Sequence, residues 1–530
     1  MIRDITSERF NGGKLNLRRF HQARWDEPVI FDLNQPGMRG ILPPPADPGI
    51  QDAAGDVLKD IPENLRRVHP PALPELSQPG VLRHYLRLSQ ETLGADINVD
   101  VGQGTCTMKY NPKVNDQLAR LPQMSELHPY QHPSTVQGIL EIIWRFEQIL
   151  KEISGMQRFS FQPGAGSQAI YTNASILRAY HDSRGELAQR DEIITTIFSH
   201  PSDAACARVA GFKVITLFPD EATGHPSVEA LQAALSSRTA GLFITNPEDT
   251  GIFNPHIAEF VRLVHAAGGL CVYDQANANG ILGATRAGDA GFDLCHFNLH
   301  KTFSTPHGCG GPGSGATGVS QELVPFLPVP TVEYDGERFY LDYDLPHSVG
   351  VIRSFYGVVP AILRAYTWVM SLGADGLRQV AQIAVLNNNY LMKKMLEIPG
   401  VVAPYAQGKR RIEQVRYSME KIYQDTGVNT EDIGLRAADF GVHYWYSHHP
   451  WIVLNPLTLE PTESYSQAEL DEYADIIRHI VHEAYTQPDI VKTAPHNSTV
   501  HRADHHPLDD PHAWAITWRA YKRKHAEKHG

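Results

Sequence analysis

Cysteine is scarce in this chain and its spacing serves no structural purpose. Cys106, Cys206, Cys271, Cys295 and Cys309 are scattered through 530 residues without a C-x-x-C pair. That excludes a disulfide framework and a cysteine zinc site, and a reducing cytoplasm is the expected compartment. Long apolar runs are also missing. None approaches the roughly 20 residues of a membrane span, and the opening MIRDITSERFNGGKLNLRRF has no apolar core of signal-peptide length, so no membrane partner is expected. Positive charge is short as well: 47 Lys and Arg against 59 Asp and Glu leave a net charge of -12. Binding to a phosphate backbone needs clustered positive charge, so nucleic acid is not expected as a partner. A small charged metabolite needs only one local basic pocket. Histidine is plentiful at 26, but it is dispersed or gathered in the tail, so no metal cluster is expected.

What is present falls into four stretches. Residues 1–100 are rich in proline and poor in periodicity (ILPPPADPG, HPPALPELSQPG), which predicts an extended N-terminal arm laid over another domain or a partner subunit. After a polar block at Cys106–Pro112, the run HPSTVQGILEIIWRFEQILKEISG has apolar residues from Val136 to Ile153 at helical spacing. It predicts an amphipathic helix capped by Ser134 or Thr135 and closed by Gly155. Short apolar strands expected at 159–162, 192–198, 213–218, 241–245 and 270–273 then alternate with helical stretches. That alternation implies right-handed β-α-β units, hence an α/β large domain with a mainly parallel sheet over 101–330. From 331 to 490 the pattern becomes a smaller α+β C-terminal domain, with two long helices over 351–398 and strands near 413–417 and 451–459. Residues 491–530 read as a histidine-rich tail.

In such sheets the ligand lies at the carboxyl ends of the strands. Five polar strand ends converge there: Gly164–Gln168, His200 to Asp203, Asn246–Gly251, Asp274–Asn277 and Asn298–Lys301. Lys301 is the unusual member, because it follows an apolar run and precedes a loop too glycine-rich for an ordinary helix. A desolvated lysine amine condenses with an aldehyde such as that of pyridoxal phosphate. That cofactor also needs a carboxylate for its ring nitrogen and a helix start for its phosphate. Asp274, closing LCVYD, offers the first; Gly164, Gly166 and Ser167, between a strand and a helix, offer the second. Taken singly, each has a plainer reading as a strand-end cap, a turn glycine or a surface lysine. In this order on successive strand ends they point to pyridoxal 5'-phosphate.

The segment HFNLHKTFSTPHGCGGPGSGATGV resembles the lysine segment of the glycine cleavage system P-protein, in particular subunit 2 of the two-subunit bacterial form. GTCTMKYNPK, HPSTVQGILE, NPEDTGIF, YDQANANGILG, RSFYGVVPAILRAY, LEPTESYS and VKTAPHNSTVHR match further blocks of that family in the same order, over nearly the whole chain. The resemblance implies an aminotransferase-type, fold type I large domain with a small C-terminal domain. It makes Lys301 the cofactor-bearing lysine, Asp274 the ring-nitrogen aspartate and His200 a site histidine. Gly164, Gly166, Ser167, Gln168, Asn246, Thr250, Ala276 and His300 become the expected cofactor contacts. The implied activity is glycine decarboxylation, with transfer of the aminomethyl group to the lipoyl arm of H-protein. The implied assembly is an α2β2 heterotetramer with a first, lysine-lacking subunit, in the cytoplasm.

Several positions depart from the family pattern. Gln168 stands where the family has a histidine stacked on the cofactor ring, Ile170 where it has a glutamate, and Asp203 where it has an asparagine; FGVHYWYSHHPWIV replaces a plainer apolar sequence. These changes keep a second reading open, a related decarboxylase or carbon–carbon lyase acting on another small amino acid without the lipoyl partner. A third, a subunit whose fold survives for assembly alone, is opposed by the presence of both Asp274 and Lys301. Arg353 and Arg364 are candidates for holding a substrate carboxylate, and His300 and His307 for touching phosphate or substrate.

Overall fold

Runs such as LCVYDQ and LCHFN, apolar on both faces and stopped by polar turns, form the centre of the fold as fully buried strands. The computed structural model describes residues 15, 17–69, 71–94, 101–102, 109–306, 313–443, 452–499, 501–502, 517–518 and 522. Seven strands make the main sheet: β1 (Arg158–Ser160), β2 (Glu192–Thr196), β3 (Lys213–Leu217), β4 (Thr239–Thr245), β5 (Leu270–Gln275), β6 (Leu294–Asn298) and β7 (Gly315–Val319). Their order is β1-β7-β6-β5-β4-β2-β3, parallel throughout except for β7, which runs antiparallel to both its neighbours.

Side-chain alternation divides the core between the two faces of this sheet. Leu242, Ile244, Cys271, Tyr273, Cys295 and Phe297 pack with Leu140 and Phe146 of the 137–154 helix on one side. Phe243, Val272 and Leu294 pack with Ile170, Ala174 and Leu177 of the 166–183 helix on the other. Asp274 and His296 fall on the second face by the same count, and they stand opposite each other in the register of β5 and β6.

The helix expected after His132 spans Gln137–Ser154 and ends at Gly155 in a left-handed conformation, φ 72°. Its N-cap is Val136, not Ser134 or Thr135. The two hydroxyls are used one turn earlier, where Pro133 starts a 3-10 turn: Thr135 Oγ1 donates to the carbonyl of His132, and Ser134 Oγ pairs with His132 Nδ1, each at 2.8 Å. The two long helices expected over 351–398 are the halves of one run, Val359–Leu396, bent at Gly373, whose φ of 64° no helix accommodates.

A short ribbon, β8 (Thr331–Tyr334) with β9 (Phe339–Asp342), precedes that run. A second small antiparallel pair, β10 (Val415–Ser418) with β11 (Pro456–Leu459), follows it. Val415, Tyr417, Leu457 and Leu459 pack with Tyr473, Ile477 and Ile480 of the 467–486 helix in a core of their own. Arg416 and its cross-strand partner Thr458 face the other way.

The chain forms two compact units. Residues 1–18 and 95–494 make the first, which contains all the elements above from the 137–154 helix onward. Residues 19–94 and 495–530 make the second, so the N-terminal arm and the tail share a unit. Within the second, Glu27 pairs with His84 at 2.9 Å and Arg87 at 3.0 Å of the Gln78–Gln90 helix. Gln22 Oε1 accepts from Ser498 Oγ, Thr499 N and Thr499 Oγ1 at 2.9–3.0 Å.

Candidate active site

Lys301 follows β6 in a turn that its own neighbours hold rigid. Its N–H donates to the Asn298 carbonyl at 3.1 Å. The hydroxyl of Thr302 accepts from Ala278 N at 2.8 Å, and those of Ser304 and Thr305 donate to the carbonyls of Tyr110 and Ala361 at 2.7 and 2.9 Å. The lysine is only 8% exposed, yet among the described residues its ammonium makes no hydrogen bond or ion pair. Buried cations are normally paired, so an unpaired one beside three acids marks a reactive position.

Those acids are Asp274, Glu413 and Glu460. Asp274 ends β5 next door, accepts from Ala276 N at 2.8 Å and lies 3.3 Å from His296 Nε2, outside hydrogen-bond geometry. Burial holds the His296 ring below its usual range, against the pull of the Asp274 charge. Glu460, just past β11, accepts from Asn277 Nδ2 at 2.8 and 2.9 Å and from Asn279 Nδ2 at 2.6 Å. Glu413 accepts from Gly280 N at 3.0 Å. Burial pushes both glutamates up and their mutual repulsion pushes Glu413 further, while the Lys301 charge pulls each down.

The glycine-bearing turn after β1 leads into the 166–183 helix, which starts at Ala165 without any side-chain cap. Its first N–H groups are therefore open to an anion. Gly166 has to be glycine because a β-carbon there would sit 2.6 Å from Asn298 Nδ2. Gln168 is spent on this turn: its Oε1 accepts from Gly164 N at 2.7 Å and its Nε2 donates to the Ile352 carbonyl at 3.4 Å. It braces the turn between β1 and the helix from both sides.

The loop after β4 closes the opposite side. Asn246 Oδ1 accepts from Asn254 N at 2.8 Å, and Gly251, with φ 77°, is so close to β10 that a β-carbon would meet the Gln414 carbonyl at 1.9 Å. Asp249 takes Arg416 Nη2 at 3.0 Å and Gln414 Nε2 at 3.3 Å. His200 caps the 201–209 helix, its Nδ1 accepting from Ser202 N at 3.1 Å. The Nδ1 atom of His300 accepts from Ser314 N at 3.1 Å, which ties it to the start of β7.

One expectation needs correction and several fall outside the described residues. Arg364 is committed to Asp116, with Nε to Oδ1 at 2.6 Å, and is not available to a substrate. Arg353 stays a candidate, since its Nη1 would lie 2.0 Å from a β-carbon at Gly164, against the cradle. His307, Cys106 and most of the 440–453 stretch lie outside the described residues. The sequence reading missed Glu413, Glu460, Arg416 and His296, and held Asp249 only as part of the Asn246–Gly251 strand end; a glutamate closing an apolar strand, as in LTLE, was the available signal for Glu460.

The polar atoms left over fit pyridoxal phosphate. Among the described residues, Asp203, Thr250 Oγ1, Gln275 Oε1, Asn298 Oδ1 and Ser314 Oγ are buried without a hydrogen-bond partner, all around this carboxyl edge. Buried polar groups in a finished protein are satisfied, and a cofactor with a phosphate, a ring nitrogen and ring oxygens brings the matching atoms.

Comparison with known proteins agrees. Residues 164–311 match the aminotransferase class-V model and residues 380–505 the glycine dehydrogenase C-terminal domain model. A probable glycine dehydrogenase (decarboxylating) subunit 2 from Pyrococcus abyssi is 47% identical over 95% of this chain and 98% of its own length. The chain belongs to the glycine dehydrogenase (decarboxylating) subunit 2 family. Another member, from Caldanaerobacter subterraneus subsp. tengcongensis, is 43% identical over 90% of this chain and 96% of its own length. A crystal structure of a glycine decarboxylase (P-protein) of the glycine cleavage system, in inhibitor-bound form, superposes with a TM-score of 0.67 at 20% identity, covering 83% of this chain and all of that one. The subunit 2 family thus has the aminotransferase-type fold in this chain, and it is a pyridoxal phosphate family.

Proposed function

We propose that this chain is the cofactor-bearing subunit of a glycine decarboxylase, releasing carbon dioxide from glycine and passing the aminomethyl group to the lipoyl arm of H-protein. The observation that carries this is a buried Lys301, unpaired among the described residues, at the end of the strand next to the one that carries Asp274, in a chain whose relatives are named glycine dehydrogenase (decarboxylating). Pyridoxal phosphate, when bound, supplies the sink for the electron pair left on the glycine α-carbon. The open N–H groups of the 166–183 helix and Ser167 would hold its phosphate, with Gln168 fixing the turn and Arg353 adding positive charge. Asp274 would hold the ring nitrogen, Ala276 N orienting that carboxylate. Lys301 would fasten the aldehyde carbon, its turn fixed by the hydroxyls of Thr302, Ser304 and Thr305. Glu413 and Glu460, held by Gly280 and by the two asparagines, are pushed by burial toward their protonated forms and would offer carboxyl oxygens for proton transfer at this edge. His200, Asn246, Thr250 and His300 line the same edge and complete the proposed cofactor contacts.

The word "subunit" in the relatives' names supports a companion chain here too, and an α2β2 assembly is the arrangement we propose. In the second compact unit Ile41, Val57, Leu65 and Val68 are 69–84% exposed, apolar side chains that a companion chain would cover. Among the described residues no helix is long and apolar enough to cross a membrane.

Bicarbonate exchange into glycine, with and without the companion subunit, tests the activity. The purified protein should also be yellow with pyridoxal phosphate and lose that band in Lys301→Ala. A colourless protein unable to take up the cofactor refutes the reading at its base, and a yellow one without exchange in the presence of both partners refutes glycine as substrate.

A further inference from the structure

At the opposite end of β5 from Asp274, side chains of three different metal-ligand types meet. Cys271 is the second residue of β5, Asp293 immediately precedes β6, and His265 lies in the last turn of the Ile257–Ala266 helix. His265 Nε2 stands 2.8 Å from Asp293 Oδ2, and one ligand atom from each of the three, Cys271 Sγ included, lies within 4.8 Å of the other two. The neighbouring strands lock two of them together: Cys271 N donates to Asp293 Oδ2 at 2.7 Å, and Asp293 N donates to the Cys271 carbonyl at 3.0 Å. The thiol is fully buried and, among the described residues, reaches only the Val261 carbonyl, at 4.0 Å. Beside His265 and Asp293 is a cavity of about 310 Å³, lined also by Leu270, Tyr180, Arg190 and Glu322. The side chains of His265 and Asp293 are 39% and 17% exposed, which gives an ion a way in.

A histidine and an aspartate at a helix end are commonly no more than an ion pair; the buried thiol within reach of both, and the cavity beside them, set this pair apart. Imidazole, thiolate and carboxylate are the ligand types that zinc takes, and three of them with one water complete a tetrahedron. Ligand atoms around such an ion stand roughly 3.3–3.8 Å apart, so the His265–Asp293 contact has to open by about half an ångström and the thiol to close in by about one at most, within the range of small side-chain rotations. The Cys271 N–H on the Asp293 carboxylate is the outer hydrogen bond that aims a ligand. The other charges at the cavity leave room for a cation. Arg184 and Arg190 both pair with Glu186, Arg190 also donating to the carbonyls of Thr239 and Ala267, and Glu322, from the 321–326 turn, accepts from the Tyr180 hydroxyl at 2.9 Å. We propose that His265, Cys271 and Asp293 bind one zinc ion, with a water from the cavity in the fourth position, and that the ion ties the end of the 257–266 helix to β5 and β6. Coordination sends the thiol proton of Cys271 to solvent. The strand rise puts Cys271 about 10 Å from Asp274 along β5, at the edge away from the cofactor, so the site stands independently of the pyridoxal phosphate reading. The ligands come from three separate stretches and include a single cysteine, so no short motif announces them.

The test uses the full-length protein loaded with pyridoxal phosphate, stripped of metal by a chelator and titrated with cobalt(II) and then zinc(II). The wild type should bind one cobalt ion with the intense red-visible bands of a tetrahedral site, where the cofactor does not absorb, and zinc should displace it. In Cys271→Ser and in His265→Gln those bands should be lost and zinc affinity should fall by more than about a hundredfold, beyond the cost of losing an outer-shell partner, while cofactor uptake stays at the wild-type level. Zinc should also raise the melting midpoint of the wild type by more than that of either variant. A wild type without the cobalt bands overturns the proposal. Bands and affinity that persist in both variants overturn it too, because the ion is then held elsewhere, as by the histidine-rich tail. If Cys271→Ser does not fold, His265→Gln, at a partly exposed position, decides alone.

Discussion

Glu248 offers the sharpest measurement of how much stability this active edge sacrifices. It follows Asn246 and Pro247 in the loop after β4, it is buried, and among the described residues neither oxygen has a partner in bonding geometry. Burial lifts it from 4.5 to about 8, the charge of Asp249 adding to the effect, and the Thr196 hydroxyl pulls back too weakly to offset it, consistent with its lying outside bonding geometry. An unfolded chain releases this proton near the ordinary glutamate value and the folded one only near pH 8. Across that window the folded state binds more protons, so stability falls as pH rises. A displacement from 4.5 to about 8 is worth at most about 5 kcal/mol at 1.36 kcal/mol per unit, of which about 3 kcal/mol is lost between roughly pH 5 and pH 8. Glu248→Gln keeps the shape and removes the titration. Urea unfolding of both proteins with saturating pyridoxal phosphate should show the wild type losing about 3 kcal/mol relative to the variant over that range. Parallel pH profiles for the two proteins would refute the argument, because every other titrating group is common to both.

Gly166→Ala should weaken cofactor binding about tenfold or more at a stability cost of about 1–3 kcal/mol, because the new β-carbon meets Asn298 at 2.6 Å and tilts the helix start; absorbance titration and thermal melting check the two parts. Arg416 is 4% exposed and pairs with Asp249, so Arg416→Met should cost about 3–5 kcal/mol by leaving that carboxylate half-satisfied. The double variant Arg416→Met with Asp249→Leu should recover most of the loss in urea unfolding, and failure to recover would mean that the arginine holds more than Asp249.

Residues that act through their own stretch of chain were legible in the sequence. Lys301, Asp274 and the Gly164–Ser167 turn each close a recognisable strand, and the rule that ligands lie at carboxyl edges was enough to bring them together. Glu413 and Glu460 were harder to place, because they meet the turn after β5 only once the segment holding β10 and β11, more than 110 residues beyond Lys301, folds back onto it; LTLE marks Glu460 as a strand-end acid but does not say which edge it joins. The cap of the 137–154 helix failed for a local reason: Pro133 drew the Ser134 and Thr135 hydroxyls into a turn of their own. Gln168 lies in the first turn of the 166–183 helix, where its amide is taken up by backbone partners, as a glutamine beside a glycine turn tends to be.

The joining of residues 19–94 with 495–530 bears on the order in which the protein is made. Gln22 is among the first residues of its unit to be synthesised, yet the hydroxyls and the amide that satisfy it come from Ser498 and Thr499. The larger unit has all of residues 95–494 before those partners emerge. Its sheet is therefore free to form on the ribosome, while the proline-rich arm, with its apolar side chains, waits unfinished until Ser498 and Thr499 have been added. The smaller unit is thus the one part of this fold whose two halves are separated by nearly the whole of the other.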